Sequence, residues 1–189
     1  MMELRLGADE HALIGYGSLL SIESMQRTLG EQYTGPFHLV RLHGWQRGWD
    51  VQMPNTRWRY RDGQRMVTPE HVVYLNVRRA ADRHINAALF VVTRDALAMF
   101  DQREWIYDRV DVTGAIENVT IVGGTAWMYV ARPEHMSSAP PPPPKSIIRR
   151  SYLDILASAH ITLGDDFRRE YEATTDAVRP ELVVDDIDV

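Results

Sequence analysis

Apolar positions fall in short runs along the chain, and their spacing changes from run to run. Residues 12–16 are continuously apolar and predict a buried strand. Beyond the following "GSLL", Ile22, Met25 and Leu29 recur at i, i+3 and i+7, and Gly30 comes next. That spacing predicts a short amphipathic helix capped by the Ser21 hydroxyl. Residues 37–53 read as strand, with Leu39, Leu42 and Trp45 among the apolar positions. Residues 54–71 are polar, turn-rich and arginine-rich, an excursion between strands. Residues 71–79 and 85–93 predict a strand pair with "AADRH" between them, and Thr93 caps a helix over 94–104. In 107–114, Val110 and Val112 alternate with charges, and 118–132 continues as a hairpin. Residues 139–145, "APPPPPK", read as a polyproline II stretch bracing a loop. Residues 146–161 and 164–176 predict two closing helices. The acidic end, 183–189, is expected to be disordered. Many short strands with helices at both ends imply an α+β domain on a mixed or barrel-like sheet.

Length and composition narrow this. A chain of 189 residues fits one domain, with a core over about 12–172 and an acidic C-terminal tail from 173 to 189. Hydrophobic residues make up 44% and charged ones 25%, and a core of this size needs no disulfide or metal to hold it. There are no cysteines, which excludes thiolate metal sites and cysteine nucleophiles and makes a reducing cytoplasm the expected compartment. No apolar core of a signal peptide is expected in residues 1–11, and no run approaches the roughly 18 apolar residues of a membrane span. A net charge of -5 argues against wholesale nucleic-acid binding. The seven histidines show no H-x-H or H-E-x-x-H spacing, so no metal is expected.

The chemistry begins at "GYGSLL", where a strand becomes a helix. A serine-hydrolase elbow needs small residues two before and two after the serine; around Ser18 these are Tyr16 and Leu20. The dinucleotide fingerprint fails at Leu20, where its third glycine belongs, and no lysine follows at phosphate-loop spacing. Two readings remain. The backbone N–H groups of Gly17, Ser18, Leu19 and Leu20 line a concavity suited to a carboxylate or an oxyanion, or Gly15 and Gly17 simply permit a tight turn.

A second segment, "LAMFDQREWIYDRV", puts Leu97, Phe100 and Glu104 on one helix face. A carboxylate on an apolar face is costly, and desolvation moves its pKa toward that of a general base. Trp105 and Tyr107 suggest a partly dry pocket. The alternative is a helix that ends near Arg103 and leaves Glu104 to pair with Arg103 or Arg109 in solvent. Asp101 falls nearer the exposed side.

Together, "GYGSLL" and "LAMFDQREWIYDRVDV" resemble the γ-glutamylcyclotransferase superfamily, with its γ-glutamylamine and AIG2-like branches. Tyr16 to Leu20 matches that family's YGSN/YGSL loop, Phe100, Asp101 and Glu104 its glutamate motif, and Tyr107 the aromatic that follows. "HLVRLHGWQRGWD" is similar to a family strand, and the proline-containing loop to one in its glutathione-pathway branch. The resemblance spans most of 12–172. It implies a γ-glutamylcyclotransferase-like mixed β-barrel with flanking helices. It also implies cyclisation of a γ-glutamyl group to 5-oxoproline, with release of an amine or amino acid. Glu104 would be the general acid and base; Tyr16, Gly17, Ser18, Leu19, Leu20 and Tyr107 would bind substrate, with no cofactor. The implied partner is a small γ-glutamyl molecule, not nucleic acid or membrane, and the family includes homodimers.

Two other classes compete. One is a non-catalytic binding module of the same fold, against which Glu104 and the intact loop both count. The other is a polyanion binder using Arg57, Trp58, Arg59, Tyr60, Arg61 and Arg65, since aromatics among arginines stack bases and contact phosphates. Such a stretch also serves as a solvated loop with snorkelling side chains.

Overall fold

The computed structural model describes residues 2–30, 33–34 and 37–188. Its organising element is one strand, β6 (His71–Thr93), of 23 residues. Fully straight it would reach about 75 Å, against the roughly 40 Å diameter of a compact chain of this length. It must therefore curl. Its partner β3 (Phe37–Pro54) runs antiparallel to it over nearly its whole length, with register shifts between His43 and Trp45 and between Gly48 and Val51. At the first shift, Gly44 takes φ +80, a conformation that favours glycine, while residues 80–83 bulge out on the β6 side, 81–83 exposed. The expected strand pair with "AADRH" between them is thus one strand with a bulge. The segment holds no Gly, Pro or Asn to reverse the chain.

The other edge of β6 is divided. β10 (Ser146–Arg149) lies parallel at His71 and Val72, and β2 (Glu10–Gly15) lies antiparallel from Ala88 to Thr93. Between them, from Val73 to Ala87, this edge carries no paired strand among the described residues. The sheet continues from β2 to β9 (Ala126–Ala131), parallel, and then to β7 (Tyr107–Asp111), antiparallel. β8 (Val119–Val122) pairs in parallel with β1 (Met2–Arg5) rather than with β9, so the expected hairpin over 118–132 does not form. Gly123, at φ +86, turns the chain between the two sheets instead.

Helices cover the sheet. α1 (Ile22–Leu29) and α2 (Arg94–Arg103) are capped as expected by Ser21 and Thr93 side chains. α3 (Arg150–Leu163) and α4 (Asp165–Ala173) close the domain. Residues 146–149, read from sequence as the start of a helix, form β10 with all four residues buried. Arg47, fully buried, pins α4 to the sheet: it lies under the Tyr171 ring at 3.6 Å and donates to Thr175 Oγ1 at 2.8 Å. Burial lowers its pKa.

The arginine-rich excursion is a hairpin of β4 (Trp58–Asp62) and β5 (Arg65–Val67), turning at Gly63. The proline run does not stay extended, because the Lys145 N–H donates to the Pro142 carbonyl at 3.2 Å and closes a turn. The acidic end is a correction. β11 (Val183–Val184) adds to β10, and β12 (Asp186–Asp188) adds antiparallel to β4; Val189 lies outside the described residues. Charge explains the order: Asp188 pairs with Arg57, and Asp186 accepts from the Ser151 N–H at 2.9 Å and lies 3.6 Å from Arg149. The Asp186 side chain is 2% exposed and that of Arg149 9%. Removing one partner strands the other charge, so Asp186→Ala is expected to lower stability by about 3 kcal/mol in urea denaturation. A negligible change would mean that the acidic end is not part of the folded unit.

Candidate active site

β2 and β10 diverge along β6, and a cavity of about 220 Å³ opens beside the unpaired stretch of its edge. Its wall takes Tyr74 and Leu75 from β6, the loop after β2, the end of α2, and Tyr152 from α3.

The loop explains its glycines by space. Neither Gly15 nor Gly17 has positive φ among the described residues. A Cβ on Gly15 would sit 2.5 Å from the Leu19 carbonyl oxygen, and one on Gly17 would sit 2.8 Å from the Tyr152 hydroxyl. The chain folds back on itself after Gly15 into a single 3-10 turn, Ser18–Leu20, before α1 begins. That turn uses part of the expected concavity: the Leu20 N–H donates to the Gly17 carbonyl, and Leu20 does not line the cavity. The Ser18 N–H meets the Tyr152 hydroxyl. Gly17 and Leu19 N–H groups have no protein acceptor among the described residues.

Tyr16 and Tyr107 both line the cavity, but their protons are committed. The Tyr16 hydroxyl donates to the Tyr129 carbonyl at 2.7 Å, and the Tyr107 hydroxyl donates to the Leu75 carbonyl at 3.0 Å. The Tyr16 carbonyl in turn accepts from the Tyr171 hydroxyl at 2.7 Å. Burial pushes the Tyr16, Tyr107 and Tyr152 phenols well above their ordinary range, so all three stay neutral. They shape and hold the site.

Glu104 combines both sequence alternatives. The helix does end at Arg103, and Glu104 is its C-terminal cap, with its N–H donating to the Phe100 carbonyl at 2.8 Å. It does pair with Arg103, Nε to Oε1 at 3.1 Å, yet not in solvent: its side chain is 17% exposed and lies on the cavity wall. Burial raises its pKa above the ordinary 4.5, and the Arg103 charge partly opposes that rise. Its place at a helix C-terminus adds to the cost of a negative charge. Arg109 goes instead to Asp101, whose carboxylate also accepts from the Tyr129 hydroxyl at 2.8 Å; at 41% side-chain exposure Asp101 sits outward, as expected. Trp105 stands at the rim, 46% exposed and packed edge-on to His135.

Sequence reasoning missed two arginines. The sequence offers Arg103 only as a solvent partner of Glu104, but its guanidinium ties three elements together. It donates to the Ser24 carbonyl at 2.7 Å, Thr28 Oγ1 at 2.8 Å, Ser24 Oγ at 2.7 Å and Ser18 Oγ at 3.1 Å. Arg149, hidden in a segment read as helix, also lines the cavity. Trp58 and Tyr60 of the arginine-rich hairpin turn inward, onto Arg149 and into a core cluster respectively. Both rings are thereby engaged within the fold, Trp58 half-buried and Tyr60 buried. Among the described residues no three His, Asp or Glu side chains gather to hold a metal, and no helix is long and apolar enough to cross a membrane.

No protein-family sequence model matches the chain, and no curated protein is similar to it in sequence. Solved structures are. A γ-glutamyl cyclotransferase superposes at TM-score 0.58 and 14% identity, covering 93% of this chain and 94% of that one. An uncharacterized human protein gives 0.57 and 16%, covering 92% and 96%. The Bacillus subtilis protein YkqA gives 0.57 and 14%, covering 89% of this chain and 56% of its own. The chain therefore has the γ-glutamyl cyclotransferase fold, an α+β architecture of mixed sheets with four α-helices among the described residues.

Replacing Glu104 by Gln keeps its shape and removes the charge. A carboxyl with a raised folded-state pKa supports the fold fully below its unfolded value and loses that support as pH rises through the folded value. Glu104→Gln is thus expected to melt at or above the wild-type temperature near neutral pH, the gain vanishing below about pH 4.5. A variant that melts below wild type at neutral pH would show the ion pair with Arg103 outweighing burial.

Proposed function

We propose that the protein cyclises a γ-glutamyl group to 5-oxoproline and releases the amine it carried. The observation that carries this reading is Glu104: a carboxylate with a raised pKa on the wall of a tyrosine-lined cavity, beside a glycine loop. The fold shared with a γ-glutamyl cyclotransferase supports it.

The reaction asks little of a protein, and these residues supply it. The substrate α-ammonium must lose a proton before its nitrogen can attack its own side-chain carbonyl carbon. Glu104 accepts that proton, and a raised pKa makes it a stronger base than an ordinary glutamate. The new carbon–nitrogen bond leaves the former carbonyl oxygen as an oxyanion, and the Gly17 and Leu19 N–H groups are the loop donors left to meet it. Glu104 then returns the proton to the departing nitrogen as its bond to carbon breaks. The second proton shed by the ring nitrogen passes by the same carboxylate to the released amine, so the lactam N–H and an ammonium remain and atoms and charge balance without a cofactor. Tyr16, Tyr107 and Tyr152 exclude water and press the substrate into a near-attack shape, and ring closure within one molecule lowers the barrier further. Ser18 contributes through its side chain, which holds Arg103 in place.

The test is 5-oxoproline release from γ-glutamyl dipeptides, glutathione and γ-glutamyl amines. Wild type should turn over one class, and Glu104→Gln should fall by at least about a hundredfold in kcat while remaining folded. Undiminished release in the variant would remove Glu104 from the mechanism. Release from no γ-glutamyl compound would remove the reaction.

A further inference from the structure

Arg149 is not used by the mechanism above, yet it lines the same cavity and is 8% exposed. Three distant segments fix it. Its guanidinium carbon lies 3.9 Å from the Trp58 ring centre of β4 and 5.5 Å from that of Tyr74. Its Nη1 donates to Ser151 Oγ at 2.9 Å, and Asp186 of β12 holds Ser151 through both its N–H and its hydroxyl. The fork is nonetheless incomplete: Asp186 lies 3.6 Å from Nη1, beyond hydrogen-bond length, and the Tyr74 phenol, which also lines the cavity, is another polar neighbour. A guanidinium held this firmly loses little freedom when it takes up a carboxylate.

Its place in the cavity says which carboxylate. The contacts run in series from the loop: the Ser18 N–H meets the Tyr152 hydroxyl, the Tyr152 ring packs edge-on to Tyr74 at 5.0 Å, and Tyr74 lies against Arg149. Arg103 contacts both Glu104 and Ser18 at the loop, and the Tyr152 and Tyr74 rings stand between that group and Arg149; the apolar Met53 and Ile155 line the same cavity. We propose that Arg149 binds a carboxylate on the departing amine, so that the cavity takes γ-glutamyl amino acids or peptides in preference to γ-glutamyl amines. An amine carrying a second positive charge would meet a fixed cation there, and the Asp186 carboxylate, 2% exposed, is not available to receive it. The proposal rests on the cyclotransferase reading for the reacting group; carboxylate recognition by Arg149 is separable from it.

The experiment compares γ-glutamyl-phenylalanine with γ-glutamyl-phenethylamine, which differ by one carboxylate, in wild type, Arg149→Gln and Arg149→Lys. The lysine variant keeps a cation beside Asp186 should the glutamine variant fail to fold. The ratio of kcat/KM for the two compounds should be about tenfold or more in wild type, the scale of a charge-assisted hydrogen bond. It should fall toward one in Arg149→Gln and several-fold in Arg149→Lys. A third compound, 4-aminobutanoyl-phenylalanine, lacks the glutamyl carboxylate; if its loss rather than that of the phenylalanine carboxylate cancels the effect of the Arg149 variants, the assignment is overturned. A wild-type ratio near one, or a ratio the variants leave intact, overturns it too. The same ratios are read as calorimetric affinities on Glu104→Gln protein. If nothing is turned over, the cyclotransferase reading fails and those affinities alone decide the proposal by the same criteria.

Discussion

A strand edge can hydrogen-bond to only one neighbour at a given residue, and β6 spends most of one edge on β3. Its other edge is divided between β10 and β2, which pair with opposite ends of it and in opposite directions. The two cannot meet, so the sheet splits, and the cavity stands where it splits. The residues that matter follow from this division. The end of β2 delivers the glycine loop, the end of β10 delivers Arg149, and the unpaired edge between them contributes Tyr74 and Leu75. The long strand must curl to fit the domain, and the bulge opposite Gly44 absorbs part of that curvature away from the site.

Within the cavity the governing balance is between burial and charge. Desolvation raises the Glu104 pKa, and Arg103 limits the rise. Arg103 is itself held by four hydrogen bonds to α1 and the loop, so the carboxylate faces a fixed cation rather than a mobile one. Buried tyrosines supply the rest of the wall. Because Tyr16 and Tyr107 give their protons to backbone carbonyls, they add rigidity to the cavity wall.

Local signals in the sequence were read well. The caps at Ser21 and Thr93, the glycine loop, and Glu104 on the face of Leu97 and Phe100 all depend on residues within one or two turns of each other. What escaped depends on distant partners. Arg103 acquires its role from Ser18, 85 residues away, and Arg149 from Trp58 and Asp186. The tail looked disordered because its charges were read without the arginines that neutralise them. Residues 146–149 looked helical because a short apolar run carries no periodicity of its own. The bulge in β6 reads from sequence as a break between two strands although it holds no Gly, Pro or Asn, and that absence is the available clue.

The central claim is that Glu104 is a desolvated base, and its own titration tests this without any assumption about substrate. The Glu104 side-chain carboxyl carbon, followed by NMR across the acid range and assigned through the Glu104→Gln variant, should titrate with a midpoint above the ordinary 4.5. A midpoint at or below that value would mean that Arg103 dominates, and that the cavity holds a structural ion pair rather than a base.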